Sequence, residues 1–127
     1  MRYILLILAI LAISPLKAEN IKWSNDLWKS IEKAKESKKS VLVYMTMDNC
    51  RYCTMMENNT WKDNSVISYV NKNFIPVRLK YGINSEIKLF KVKGFPQTAI
   101  VKSNTVVLKK AGFIQPRNLL EILSKNK

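Results

Sequence analysis

From Trp23 onward the apolar positions fall into blocks whose spacing changes along the chain. In "WSNDLWKSIEKAKESKK", Leu27, Ile31 and Ala34 recur at helical spacing with lysines on the other face, and Ser24 or Asn25 is placed to cap the start. "VLVYMT", residues 41–46, is too short for a helix and rich in β-branched and aromatic residues, which predicts a buried central strand. No proline or glycine interrupts the chain from Cys50 to Asn73, and the pattern predicts a helix over about 50–59, a break near 62–64 and a second short helix through Val70. "FIPVRLK", residues 74–80, reads as another strand, with Pro76 at its first residues or on an edge. Residues 85–92 carry a helical pattern in Ile87, Leu89 and Phe90 that stops at "KGFP". "TAIV", "SN" and "TVVLKKAGF" form a hairpin with Ser103 and Asn104 as its turn and Gly112 marking a bulge or a strand end. Pro116 opens a last helix with an apolar stripe of Leu119, Leu120, Ile122 and Leu123.

Strands that alternate with helices and end in a hairpin predict an α/β fold, a sheet of mixed parallel and antiparallel strands with helices on both faces. There is no repeat, linker or low-complexity block. The first residues do not belong to this pattern. Arg2, an apolar run from Tyr3 to Ile13, then Ser14, Pro15 and Ala18 read as a secretory signal peptide over 1–18, leaving a single domain over 19–127. The run is shorter than the roughly 20 residues of a membrane span, so anchoring by residues 3–13 is the lesser alternative. A periplasmic or otherwise exported protein, expected as a monomer, follows from this reading.

Charge changes the picture less than its size suggests. The formal net charge is +13, and removing Arg2 and Lys17 leaves +11. That balance suits anionic membranes or acidic partners, but the basic residues are 18 Lys and 4 Arg scattered without a compact block, as on a solvated surface. Nucleic-acid recognition, which favours clustered arginine among aromatic platforms, is not expected.

The chemistry concentrates in "DNCRYC", residues 48–53, which holds both cysteines of a chain without histidine. Two cysteines and no histidine are too few for a one-chain zinc site, so no metal is expected there. At a strand-to-helix junction the first cysteine meets unpaired N–H groups and the positive end of the helix dipole, which favour its thiolate. The second, one turn later, faces the same side and can close a disulfide. Arg51 would favour the Cys50 thiolate further and stabilise the reduced protein. Met45, Met47, Met55 and Met56 crowd the pair in sequence; with thiolates they offer soft ligands for Cu(I), so a copper-binding module using Cys50, Cys53 and a nearby methionine is the rival reading. A third is a permanent staple in a recognition domain.

The strand "VLVYMT", the motif "CRYC" at a helix start, the later "GFPQT" and the closing hairpin and helix resemble the thioredoxin superfamily over nearly the whole of 19–127. "CRYCTMMENNT" with "DNSV" and "NKNFIPVRLK" is similar to its exported, thiol:disulfide interchange branch. The resemblance implies a thioredoxin-like fold and a thiol:disulfide oxidoreductase without dissociable cofactor, in which Cys50 is the nucleophile and Cys53 resolves the mixed disulfide. It implies a cis-proline loop facing the cysteines, with Pro96 at its centre and the backbone of Phe95 receiving a substrate strand; Tyr52, between the cysteines, is placed to border that groove or to shield the pair. Partners would be client proteins with disulfides or thiols and a membrane-embedded electron donor. Two positions depart from the family: Asn49 replaces the tryptophan common before the first cysteine, and Tyr44 stands where many thioredoxins carry a buried aspartate. Without that carboxylate, proton transfer from the second thiol falls to water, Glu57 or a lysine.

Overall fold

The computed structural model describes residues 19–127; the expected signal segment at 1–18, and the alternative anchor at 3–13 within it, lie outside the described residues. Helix α1 (Leu27–Ser37) precedes strand β1 (Ser40–Thr46), and α2 (Arg51–Asn58) and α3 (Asn64–Asn73) lead to β2 (Phe74–Lys80). The hairpin of β3 (Gln97–Lys102) and β4 (Thr105–Ala111) follows, and α4 (Pro116–Lys125) closes the chain. Two 3₁₀ segments intervene, Thr60–Lys62 and Ser85–Phe90.

The strands lie in the order β2-β1-β3-β4, with β1 parallel to β2 and the other pairs antiparallel. Strand β1 is central and every one of its residues is buried, which is why "VLVYMT" is continuously apolar instead of alternating. Its odd positions Val41, Val43 and Met45 pack with Leu27, Ile31 and Ala34 of α1 and Ile87 and Phe90 of the second 3₁₀ segment. Its even positions Leu42 and Tyr44 pack with Met56 of α2, Val66, Ile67 and Val70 of α3 and Leu119 and Leu123 of α4. The sheet is therefore sandwiched, with helices on both faces.

Local chemistry moves several boundaries. The cap of α1 is Asp26, whose carboxylate accepts from Lys29 N at 3.0 Å; neither Ser24 nor Asn25 takes that place. Ser24 is an extra edge contact, its N–H donating to Pro76 O at 2.9 Å and its carbonyl accepting from Arg78 N at 2.8 Å. Pro76 thus sits on an edge strand, as its missing N–H requires. Asp63 caps α3, accepting from Val66 N at 3.0 Å, and that helix runs three residues past Val70, directly into β2. The segment 85–92 is a 3₁₀ helix ending at Phe90: Ile87 and Phe90, three apart, share the buried face that a three-residue turn provides, and Leu89 points out, 58% exposed. Ser103 and Asn104 both have positive φ, 46° and 66°, the two-residue turn that suits the twist of a hairpin. The bulge lies between Ile100 and Val101, and Gly112 (φ 93°) marks the end of β4.

The register also sets the ends of the molecule. Thr46 lies beside Lys80 and Met45 opposite Gln97, so the exit of β1, the exit of β2 and the residues just before β3 share one end of the sheet. Ser40, Phe74 and Val101 mark the other.

Candidate active site

Beyond Thr46 the chain makes a short loop before α2. Asp48 is paired with Lys80 at 2.8 Å across the exits of the two parallel strands. Asn49 has φ 54°, a left-handed conformation that asparagine tolerates better than the bulky tryptophan it replaces. The loop turns the chain so that Cys50 becomes the N-cap of α2 in extended geometry (φ −115°, ψ 107°).

Cys50 and Cys53 form a disulfide with their Cα atoms 5.2 Å apart. Cys50 Sγ accepts from the backbone N–H of Cys53 at 3.2 Å, the position a serine or aspartate oxygen takes in an ordinary cap. That donor, with the positive end of α2 behind it, is aimed at the sulfur on which negative charge develops when the bond opens. The carbonyl of Cys50 is held by Thr54, through its N–H at 3.1 Å and its hydroxyl at 3.2 Å. The two sulfurs are unequal in access: Cys50 is half-buried, whereas Cys53 is 1% exposed and belongs to the core.

Around them, Arg51 is exposed at the first position of α2 and forms no ion pair among the described residues. Tyr52 is exposed beside it. The Phe95–Pro96 peptide is cis, in the segment that precedes β3 at the same end of the sheet. Pro96 is buried and its carbonyl accepts from Gly112 N at 2.7 Å, which ties this loop to the end of the hairpin. Phe95 is half-buried and meets Tyr81 edge-on, ring centroids 5.7 Å apart. Tyr81 was not visible as a site residue from its sequence context. Its N–H donates to Thr46 O at 2.9 Å, which fixes an exposed aromatic at the exit of β1; the only hint in sequence is an aromatic directly after a predicted strand.

Beneath the disulfide, Tyr44 occupies the place expected for a carboxylate. Its hydroxyl donates to Cys53 O at 3.4 Å and its ring packs against Trp23 and Trp61, centroids 5.8 and 5.3 Å away. Burial pushes the phenol up to about 12; the Thr46 side chain works against this, Glu57 adds to it, and Arg78 and Trp61 oppose it. Glu57, one turn beyond Cys53 on α2, is ion-paired with Arg78 of β2. Both border a hollow of about 330 Å³ that also touches Trp23, Tyr44, Trp61 and Lys62. Trp61 Nε1 is buried there without a hydrogen-bond partner among the described residues. The hollow thus brings the Glu57 carboxylate together with Tyr44, whose hydroxyl bonds to the Cys53 backbone.

Two of the four methionines near the pair, Met45 and Met56, lie fully buried in the core on opposite sides of the sheet and do not converge with each other.

Comparison with known proteins places this arrangement. A family profile described as thioredoxin-like matches residues 22–103. The chain belongs to the thioredoxin-like family. No curated protein matches the sequence. Among solved structures, a thioredoxin from Thermus thermophilus is similar with a TM-score of 0.73 at 18% identity, covering 84% of this chain and 87% of that one. A DsbH oxidoreductase is similar at 0.74 and 17% identity, covering 93% and 94%. The oxidised C-terminal domain of Neisseria meningitidis DsbD is similar at 0.69 and 19%, covering 83% and 99%. At these identities the likeness shows the fold. The family match, with a Cys-x-x-Cys disulfide at the start of α2, supports thiol:disulfide oxidoreductase chemistry for this thioredoxin-like chain.

Proposed function

We propose that this protein is an exported thiol:disulfide oxidoreductase that reduces, or carries electrons to, disulfides of client proteins. The observation that carries the reading is the inequality of the two sulfurs: one capping a helix and open to a partner, the other buried one turn behind it. In the reduced protein the Cys50 thiolate attacks a client disulfide; one client sulfur leaves as thiolate while Cys50 and the other share a mixed disulfide. Cys53, giving up its proton, attacks Cys50 Sγ and expels the second client sulfur. The client gains two electrons and two protons, and the Cys50–Cys53 disulfide forms. No dissociable group takes part.

Arg51 acts as a nearby positive charge on the Cys50 thiolate, and Tyr52, Phe95 and Pro96 border the groove for a client strand. Pro96 has no N–H and its carbonyl is held by Gly112, so a strand laid on this loop would bond to the backbone of Phe95. The proton of Cys53 passes toward the hollow bordered by Tyr44 and Glu57. Electrons come from a membrane-embedded donor by way of the same disulfide. Export rests on the signal-like residues 1–18.

A Cys53→Ala variant tests the reading. It should accumulate mixed disulfides between Cys50 and client proteins, visible as thiol-sensitive bands whose cross-link maps to Cys50. If it traps nothing and the reduced wild type reduces no model disulfide, exchange is refuted and the pair is a staple. The reduction potential then fixes direction, a value around −270 mV marking a reductase and one near −120 mV an oxidant.

A further inference from the structure

Lysines far apart in the chain converge at the end of the sheet opposite the cysteines. A hollow of about 440 Å³ beside Ser40 and the β3–β4 turn is bordered by Lys35, Lys38, Lys39, Lys102 and Lys127. Lys39 also borders a neighbouring hollow that adds Lys22, Lys29 and Lys33, and Lys127 borders a third with Lys72. No aspartate or glutamate lines any of the three. Glu32 and Glu36 of α1 are exposed but line none of them, and Glu121 is engaged by Lys125 at 3.0 Å. None of these nine lysines takes part in an ion pair among the described residues, where the three pairs use Arg78, Lys80 and Lys125. Seven residues of β1 separate this end from the active-site end, about 20 Å at 3.3 Å per residue.

We propose that this lysine face lies on an anionic lipid bilayer and holds the disulfide on the far side, away from the membrane. Compact ammonium charges spread over three adjoining hollows suit a headgroup layer, which asks for charge over a broad area and no fixed geometry. Duplex or single-stranded nucleic acid would favour guanidinium forks and stacking rings; no arginine borders these hollows, and their rings are Tyr69, half-buried, and Phe74, buried in the core. An acidic protein would favour arginine and exposed aromatic anchors, which the face lacks. The chain also enters the domain here. Asn71 holds the entry segment by accepting from Lys22 N at 3.1 Å and donating to Asn20 O at 2.9 Å.

The test is co-sedimentation of the full chain with phosphatidylcholine vesicles, with and without phosphatidylglycerol, and of a Lys35→Gln/Lys38→Gln/Lys39→Gln/Lys102→Gln variant. Wild type and variant share residues 1–18, so the readout is the difference between them in the gain on adding the anionic lipid. That gain should be lost in high salt and fall about fivefold for each lysine removed, several hundredfold in the quadruple variant. Exchange with a small disulfide reagent should be unchanged in the variant, which also shows that it is folded. Equal binding to both lipids, or an undiminished gain in the variant, would overturn the proposal. So would tighter binding to duplex DNA or polyglutamate than to anionic vesicles at matched charge. If the variant does not fold, the salt dependence of the wild-type gain decides alone.

Discussion

Tyr44→Phe removes one oxygen from the centre of the molecule and should reverse its effect with pH. At neutral pH the variant loses the hydrogen bond to Cys53 O, a long one at 3.4 Å to a carbonyl that also serves α2. That places the cost near the middle of the usual range, about 1 kcal/mol. The alkaline side runs the other way. The unfolded phenol ionises near 10, whereas burial holds the folded one at about 12. Between those values the unfolded chain binds fewer protons than the native one, so wild-type stability falls as pH rises through the window. Integrated over two pH units the fall is about 2.7 kcal/mol, and about 2 kcal/mol of it is complete by pH 11.5. Phenylalanine does not titrate, so the variant escapes this term, and everything else common to the two proteins cancels. The stability curves should therefore cross at about pH 10.7, the wild type being more stable below and the variant above. Urea unfolding of the oxidised proteins followed by far-UV circular dichroism at neutral pH, near the crossing and at about pH 11.5 measures this directly. A stability difference that stays constant across that range would refute the reasoning, because it would mean that Tyr44 reaches solvent in the folded state.

Thr60→Val should be costly for its size. The buried Thr60 hydroxyl donates to Ile114 O at 2.5 Å, joining the first 3₁₀ segment to the segment before α4, so the variant strands a buried carbonyl at about 1–3 kcal/mol and lowers the melting temperature by roughly 5–15 °C, with Thr60→Ser restoring most of it in calorimetry. Arg51→Ala removes an exposed positive charge beside the forming thiolate, destabilising the reduced state, and should make the potential more negative by about 10–20 mV in equilibration with glutathione; an unchanged or less negative value would remove Arg51 from any tuning role.

What could be read from sequence follows the range of the forces involved. The buried run 41–46, the hairpin turn at Ser103 and Asn104 and the placement of Cys50 at a helix start depend on neighbours within a few residues, and each is found where it is expected. Ser24 looked like a cap because serine caps helices, yet its backbone pairs with β2 more than fifty residues later, and Asp26 does the capping. The spacing of Ile87 and Phe90 fits both a 3.6-residue and a three-residue turn; the backbone bonds that close on the third residue back, Ile87 N to Asn84 O and Lys91 N to Lys88 O, each 3.3 Å, decide between them. At the site, the two cysteines and the Gly-Phe-Pro segment were legible. The packing of Tyr81 on Phe95 and the Glu57–Arg78 pair were not, because each joins elements that meet only through the sheet. The lysine face is the extreme case: its members run from residue 22 to residue 127, and no local pattern marks them.

The aromatic cluster under the disulfide has an optical consequence. Trp23 and Trp61 stand edge to face at 5.0 Å, both touch Tyr44, and Tyr44 touches the backbone of Cys53. The remaining tryptophan, Trp28, is 58% exposed on α1 and packs in neither core layer. The chain thus carries two interior emitters coupled through a tyrosine to its reactive bond and one surface emitter as a steady reference, so turnover can be followed by intrinsic light without a label.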